Sequence, residues 1–206
     1  MTGFDFATAP RIVCAQGAST RLGELARELG VSRLFVVTDT GLVGAGVLAP
    51  ALAALHQAGV QHTLYADVLA DPPEARVLEA VSAACADGAD GVVGFGGGSS
   101  LDTAKLVALL ARTPQPLDEA YGINRARGPR LPLIQVPTTA GTGSECQSYA
   151  LISDDVTHAK MACGDVKAAA KVAILDPELT VSQPHRVTVC TGIDAISHAL
   201  ETAVTN

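Results

Sequence analysis

Apolar positions along the chain alternate between helical stripes and short unbroken runs. Leu22, Leu25, Ala26 and Leu29 fall at i, i+3, i+4 and i+7, one face of an amphipathic helix that Gly30 ends. Residues 34–37 follow as a short buried strand leading to Thr38-Asp39. A second helix starts near Pro50 and carries Leu52 and Leu55 toward Gly59, and residues 60–65 read as another strand. Asp71-Pro72-Pro73 breaks the chain, and Leu78, Val81 and Cys85 mark the next helix. A strand over 91–95 runs into a glycine cluster and a helix from about 100 to 111, and 131–136 is a strand ending in Pro137. Two short extended runs around Asp154-Asp155 predict a hairpin between about 148 and 163. Residues 169–175 form a last strand closed by Asp176-Pro177, and the character after Pro184 is helical to Asn206.

Strand, crossover helix and strand in repetition predict an α/β fold: a Rossmann-like, mostly parallel sheet with helices on both faces. The change after Pro184 divides the chain into an α/β domain over 1–182 and, over 183–206, the first part of a helical domain.

Composition narrows this picture. Hydrophobic residues make up 48% of the 206, with aromatics at 3% and no Trp, so the core is built from Ala, Val, Leu and Ile. The 14 basic residues against 21 acidic ones give a formal charge of −7, which argues against a nucleic-acid surface. Five cysteines, widely spaced and without a CxxC pair, read as reduced thiols of a cytoplasmic protein. No secretory signal and no apolar window long enough for a membrane span is present, so no membrane partner is expected.

Gly94-Phe95-Gly96-Gly97-Gly98-Ser99 lies between a buried strand and a helix. Residues without Cβ let the backbone approach a ligand, and the helix behind them offers free N–H groups and a positive dipole end. These are the requirements of a pyrophosphate cradle, although an ordinary tight turn would also use one or two glycines. The cluster is not a Walker loop, since no Gly-Lys-Ser/Thr ending follows it. Nor is it the usual dinucleotide fingerprint: Ser99 replaces its third glycine, and the candidate ribose acid, Asp39, lies upstream.

Residues 96–105, GGGSSLDTAK, resemble the signature of the iron-containing (group III) alcohol dehydrogenases. Three further segments agree in order: PTTAGTGSE at 137–145, LDPELT at 175–180, and TGIDAISHALE at 191–201. The chain is therefore similar to the N-terminal portion of that family along essentially its whole length. The resemblance implies that Gly96, Gly97, Gly98 and Ser99 hold a pyrophosphate, while Thr138, Thr139 and Thr142 supply donors to phosphate, ribose and nicotinamide. It implies that Lys160 reaches the cofactor ribose and that Asp39 selects NAD by accepting from the 2′-hydroxyl and repelling a 2′-phosphate. Without it, a threonine-rich loop and a hairpin lysine read as solvated features. Asp102 and Lys105 complete the motif and read equally well as surface helix charges. Asp71 departs from an Asn frequent in relatives.

Asp194 and His198, four apart on the last helix, project from one face. As a bare pair they read as solvated helix residues. The resemblance makes them two ligands of a divalent metal, Fe²⁺ with Zn²⁺ as the alternative. The other two family ligands are histidines on later helices, and His56, His62, His158 and His185 do not match them. The resemblance thus implies a truncated enzyme passing hydride between NAD(H) and a small alcohol or aldehyde, with weak NAD binding, little metal retention and negligible turnover on its own. A homodimer is compatible with the family. The alternatives are a stand-alone nucleotide-binding module, for which no residue speaks, and the related glycerol dehydrogenases, which Ser99 disfavours.

Overall fold

The computed structural model describes residues 7–205. Six parallel strands form the main sheet: β1 (Arg11–Cys14), β2 (Arg33–Val37), β3 (Gln61–Tyr65), β4 (Gly91–Gly96), β6 (Leu133–Pro137) and β9 (Val172–Leu175). Their order across the sheet is β1-β9-β6-β4-β2-β3. A smaller sheet joins β5 (Gly122–Ile123) in parallel to β8 (Lys160–Gly164), which pairs antiparallel with β7 (Tyr149–Ser153). The helices are α1 (Leu22–Glu28), α2 (Thr40–Gly44), α3 (Ala49–Gln57), α4 (Glu74–Asp87), α5 (Gly98–Leu110) and α6 (His185–Val204).

The central strands are apolar on both sides, and their alternation sorts side chains to two cores. Leu34 and Val36 of β2, Val93 and Phe95 of β4, and Ile134 and Val136 of β6 pack on α1 and α3 through Leu22, Leu25 and Leu55. Phe35, Val37, Val92 and Leu133 point the other way, onto Ala80, Ala84, Ala104 and Val107 of α4 and α5. Both faces of the parallel sheet are thus covered, as the sequence pattern predicts. Gly30, at φ +76°, reverses the chain after α1 where a side chain would be strained.

Three features differ from expectation. α5 begins at Gly98, inside the glycine cluster rather than after it, so the cluster's last residues are helical turn rather than loop. On α4 the core face is Val77, Ala80 and Ala84, whereas Leu78 and Cys85 are exposed. The apolar marks at 78, 81 and 85 locate the helix but sit one position off its buried line.

The third difference concerns α5, which is buried around its full circumference from Ser100 to Leu110. The small sheet covers the side that the main sheet leaves free, through Leu106, Leu109 and Leu110 against Ala150, Ile152 and Cys163. Asp102 (7% exposed) and Lys105 (0%) therefore lie inside the molecule, not on a helix surface.

All five cysteines are free, and burial pushes the Cys163 thiol up to about 12, well out of nucleophilic range. No helix among the described residues is long and apolar enough to cross a membrane.

Candidate nucleotide and metal sites

The strand order places the site. β2 and β4 are neighbours, yet the chain leaves β2 outward to β3 and returns on the other side at β4. Ligands of open α/β sheets bind in the crevice opened by such a reversal, at the carboxyl ends of the strands. A cleft of about 620 Å³ lies there. The end of β2 contributes Asp39, the turn after β4 contributes Gly97, Gly98, Ser99 and Ser100, and the end of β6 contributes Thr138 and Thr139. Six candidates scattered from 39 to 139 thus meet around one space.

Each wall has a local cause. Asp39 caps α2, its Oδ1 accepting from the Leu42 N–H at 3.0 Å, so its backbone is fixed at the cleft edge while Oδ2 is left to other donors. α5 has no side-chain cap, and its first intrahelical bond is from Leu101 N–H to Gly97 C=O, which leaves the N–H groups of Gly98, Ser99 and Ser100 unspent at the cleft. Gly96 is buried beneath them; a Cβ there would stand 2.7 Å from Ser100 Oγ. A Cβ on Gly98 would stand 3.1 Å from Thr142 Cγ2, so the glycine turn and the threonine loop are in contact.

Thr142 itself does not line the cleft; it supports Gly98 from behind. Gly96 likewise acts from beneath. Lys160, at the start of β8, is exposed and ion-paired with Asp71, which adopts φ +49°. That pair joins β8 to the loop whose Val68, Leu69 and Ala70 form part of the cleft wall.

One wall carries none of the site residues expected from the sequence. Leu179, Ser182, Gln183, Pro184 and Val187 also line the cleft. The LDPELT segment supplies this wall through Asp176. Its carboxylate accepts from the N–H groups of Gly17, Ser19 and Glu178 at 3.0–3.2 Å, pinning the turn that carries Leu179 to the start of α1. Burial works against that charge, yet the hydrogen bonds from Ser19, Glu178 and Gly17 together hold the carboxyl below its usual range.

α6 runs from the cleft outward. Val187 lines the cleft, and a Cβ on Gly141 would meet Thr191 C=O at 2.4 Å, so only glycine lets the helix cross the threonine loop here. Val187, Thr191, Asp194 and His198 follow the i, i+4, i+7, i+11 spacing of one face. Asp194 and His198 therefore extend the face that touches the cleft, with Asp194 about 10 Å beyond Val187 along the axis. The Asp194 Oδ1 and His198 Nε2 atoms are 3.6 Å apart. Two ligands with bonds of about 2.1 Å at a tetrahedral angle would be about 3.4 Å apart, so the pair suits one divalent ion with little adjustment. Among the described residues no group of three or more His, Cys, Asp or Glu is placed to hold a metal. His56, His62, His158 and His185 are all exposed, and none belongs to such a group.

A family model for iron-containing alcohol dehydrogenases matches residues 9–177. The chain belongs to this family. Within the iron-containing alcohol dehydrogenases it is similar to a sulfoacetaldehyde reductase of Bilophila wadsworthia, 39% identical over 94% of this chain and 50% of that protein. An NAD-dependent methanol dehydrogenase of Bacillus methanolicus is 36% identical over 97% of this chain and 52% of its own length. Among solved structures, a 1,3-propanediol oxidoreductase superposes with a TM-score of 0.92 at 29% identity, over 96% of this chain and 52% of that one. A sulfoacetaldehyde reductase from Bifidobacterium kashiwanohense in complex with NAD⁺ gives 0.90 at 28% identity, over 98% and 53%. The chain spans about half the length of these relatives.

The polar lining of the cleft fits a bound acceptor such as a phosphate. Thr139 Oγ1 is buried without a hydrogen-bond partner, 3.6 Å from where a Cβ on Gly97 would stand. An acceptor seated on the glycine turn would satisfy both that hydroxyl and the unspent N–H groups.

Proposed function

We propose that this chain is the NAD-binding part of an oxidoreductase that interconverts a small alcohol and its aldehyde at a divalent metal. The observation that carries this reading is the meeting of Asp39, the bare N-terminus of α5 and Thr138-Thr139 around one cleft at the sheet's reversal. The names of the relatives, alcohol and aldehyde oxidoreductases that include an NAD-dependent enzyme, support it.

In this reading Gly97, Gly98 and Ser99 bind the pyrophosphate through backbone N–H groups, with Gly96 and Thr142 keeping the turn close. Thr138 and Thr139 hold the adjoining ribose and nicotinamide ring, and Lys160 reaches a ribose hydroxyl by leaving Asp71. Asp39 Oδ2 accepts from the adenosine 2′-hydroxyl and repels a 2′-phosphate. A bound nicotinamide supplies a hydride acceptor, and a bound divalent ion supplies Lewis acidity toward the alcohol oxygen. Asp194 and His198 hold that ion, with residues 183–206 opening a helical metal-binding unit. Iron is the first choice by family, with zinc equally compatible with one carboxylate and one imidazole. Two ligands are fewer than a catalytic site uses, so residues 1–206 alone retain metal weakly and turn over negligibly.

Titration of the purified chain with NADH and NADPH, followed by nucleotide fluorescence, tests the reading. NADH binds at least about tenfold more tightly than NADPH, and Asp39→Gly narrows that gap. Equal affinities in the unaltered chain would overturn the assignment of Asp39, and absence of NADH binding would overturn the cofactor. Steady alcohol oxidation by residues 1–206, free of longer species, would overturn the expected lack of turnover.

A further inference from the structure

The buried charges of α5 have no place in the cofactor contacts above, yet every polar atom among them is used. The Lys105 ammonium donates to Asp102 Oδ1 at 3.1 Å, to Ser144 Oγ at 2.8 Å and to Tyr149 C=O at 2.6 Å, exhausting its three donors. Ser144 Oγ in turn donates to Asp102 Oδ1 at 2.6 Å, and Asp102 Oδ2 accepts from Leu151 N–H at 2.9 Å. One node thus joins α5, the turn at 144–146 and β7. Removing two charges from water is costly, and well-packed apolar residues at such positions are often equally or more stable. Stability alone gives little reason for an ion pair here.

The node's location gives a reason. Gly98, Asp102 and Lys105 are spaced i, i+4 and i+7, so they share one side of α5. The first of them touches Thr142, and the other two hold Ser144. Ser144 N–H also donates to Thr142 Oγ1 at 3.3 Å, and Gly143 between them takes φ +61°. The loop that brings Thr138 and Thr139 into the cleft is therefore fastened at its far end to the same helix whose N-terminus forms the glycine cradle. Hydrogen bonds with fixed donors and acceptors admit one register of loop on helix, whereas apolar packing tolerates sliding.

We infer that Asp102, Lys105 and Ser144 are positioning residues that set the separation of the threonine loop from the α5 N-terminus, and thereby the affinity for the pyrophosphate and nicotinamide half of the cofactor. This rests on the proposed NAD-binding function. The adenosine half, assigned above to Asp39 at the end of β2, rests on an element to which the node makes no hydrogen bond.

That division supplies the test. The purified chain is titrated by calorimetry with AMP, ADP-ribose and NADH. Ser144→Ala leaves the ion pair in place and is expected to fold with its melting temperature shifted by no more than about 4 °C. It binds AMP within about twofold of the unaltered chain and binds ADP-ribose and NADH about tenfold more weakly. Asp102→Asn/Lys105→Met, which removes both charges together, gives the same split. A parallel loss for all three nucleotides would mark the node as structural only and overturn the inference. Unchanged NADH affinity in Ser144→Ala would also overturn it. Failure of the unaltered chain to bind any of the three would instead overturn the cofactor reading and take the inference with it.

Discussion

The beginning of α5 and the middle of α6 each carry a dense family motif, but their surroundings are opposite. From Ser100 to Leu110 every α5 residue is buried, and its charges are enclosed in a saturated network. On α6 no residue is buried, although Val189, Ile193, Ile196 and Leu200 form a continuous apolar stripe of 44–62% exposure. α5 is fixed by neighbours on all sides. α6 is fixed by its first turns alone, where Val187 and Thr191 meet the cleft and Gly141. Motif content therefore does not measure how well a site is built; packing around it does.

This contrast predicts unequal responses to substitution. Lys105→Ala leaves the Asp102 carboxylate buried and unpaired, and costs about 3–5 kcal/mol in urea-induced unfolding. A loss under about 1 kcal/mol would mean that water reaches α5 and that the contrast is overstated.

Asp176→Asn costs less, about 2 kcal/mol, because a neutral amide replaces a carboxylate accepting from three N–H groups. The pH dependence has a definite sign. The folded carboxyl is held below its ordinary value, so its contribution is complete above the unfolded pKa and is lost as pH falls through the folded one. Thermal melts should accordingly show a constant gap between the unaltered chain and Asp176→Asn from neutrality to about pH 4, closing only below it. A gap already closed at neutral pH would contradict the hydrogen bonding at Asp176.

The smallest effects belong to α6. Asp194→Ala, His198→Ala and Ile196→Asp each change the stability of this chain by no more than about 0.5 kcal/mol. Zinc binding followed by calorimetry should nevertheless weaken with either of the first two. A large stability loss from Ile196→Asp would show that the stripe is packed and would end the comparison.

The sequence made the central strands visible because Leu34, Val92 and Ile134 lie in apolar runs long enough to stand out. It also pointed to the residues that line the cleft, since Gly97 and Thr139 sit in ordered motifs and Asp39 ends an apolar strand. β1 was missed because Arg11–Cys14 is a short edge strand with a charged first residue and no buried position. α2, with two glycines in Thr40–Gly44, has no apolar stripe to detect. The burial of Asp102 and Lys105 was hidden because two opposite charges at i, i+3 are the ordinary mark of a solvated helix. Only the later hairpin, folding over α5, reverses that meaning. The wall at 179–187 was readable in part, as Pro184 interrupts the chain where it bends across the cleft.

The pairing of β1 with β9 has a consequence for how the molecule comes into being. Arg11 aligns with Val172, and the turn after β1 is tied to Asp176, so the first strand has no partner until the last, which also pairs with β6, is in place. On a growing chain β1 stays unpaired until some 160 further residues have emerged, and contacts of such sequence separation form slowly. The cleft wall that Asp176 anchors closes in the same late event. Nucleotide added during refolding should therefore leave the early rates untouched and draw forward only the final phase.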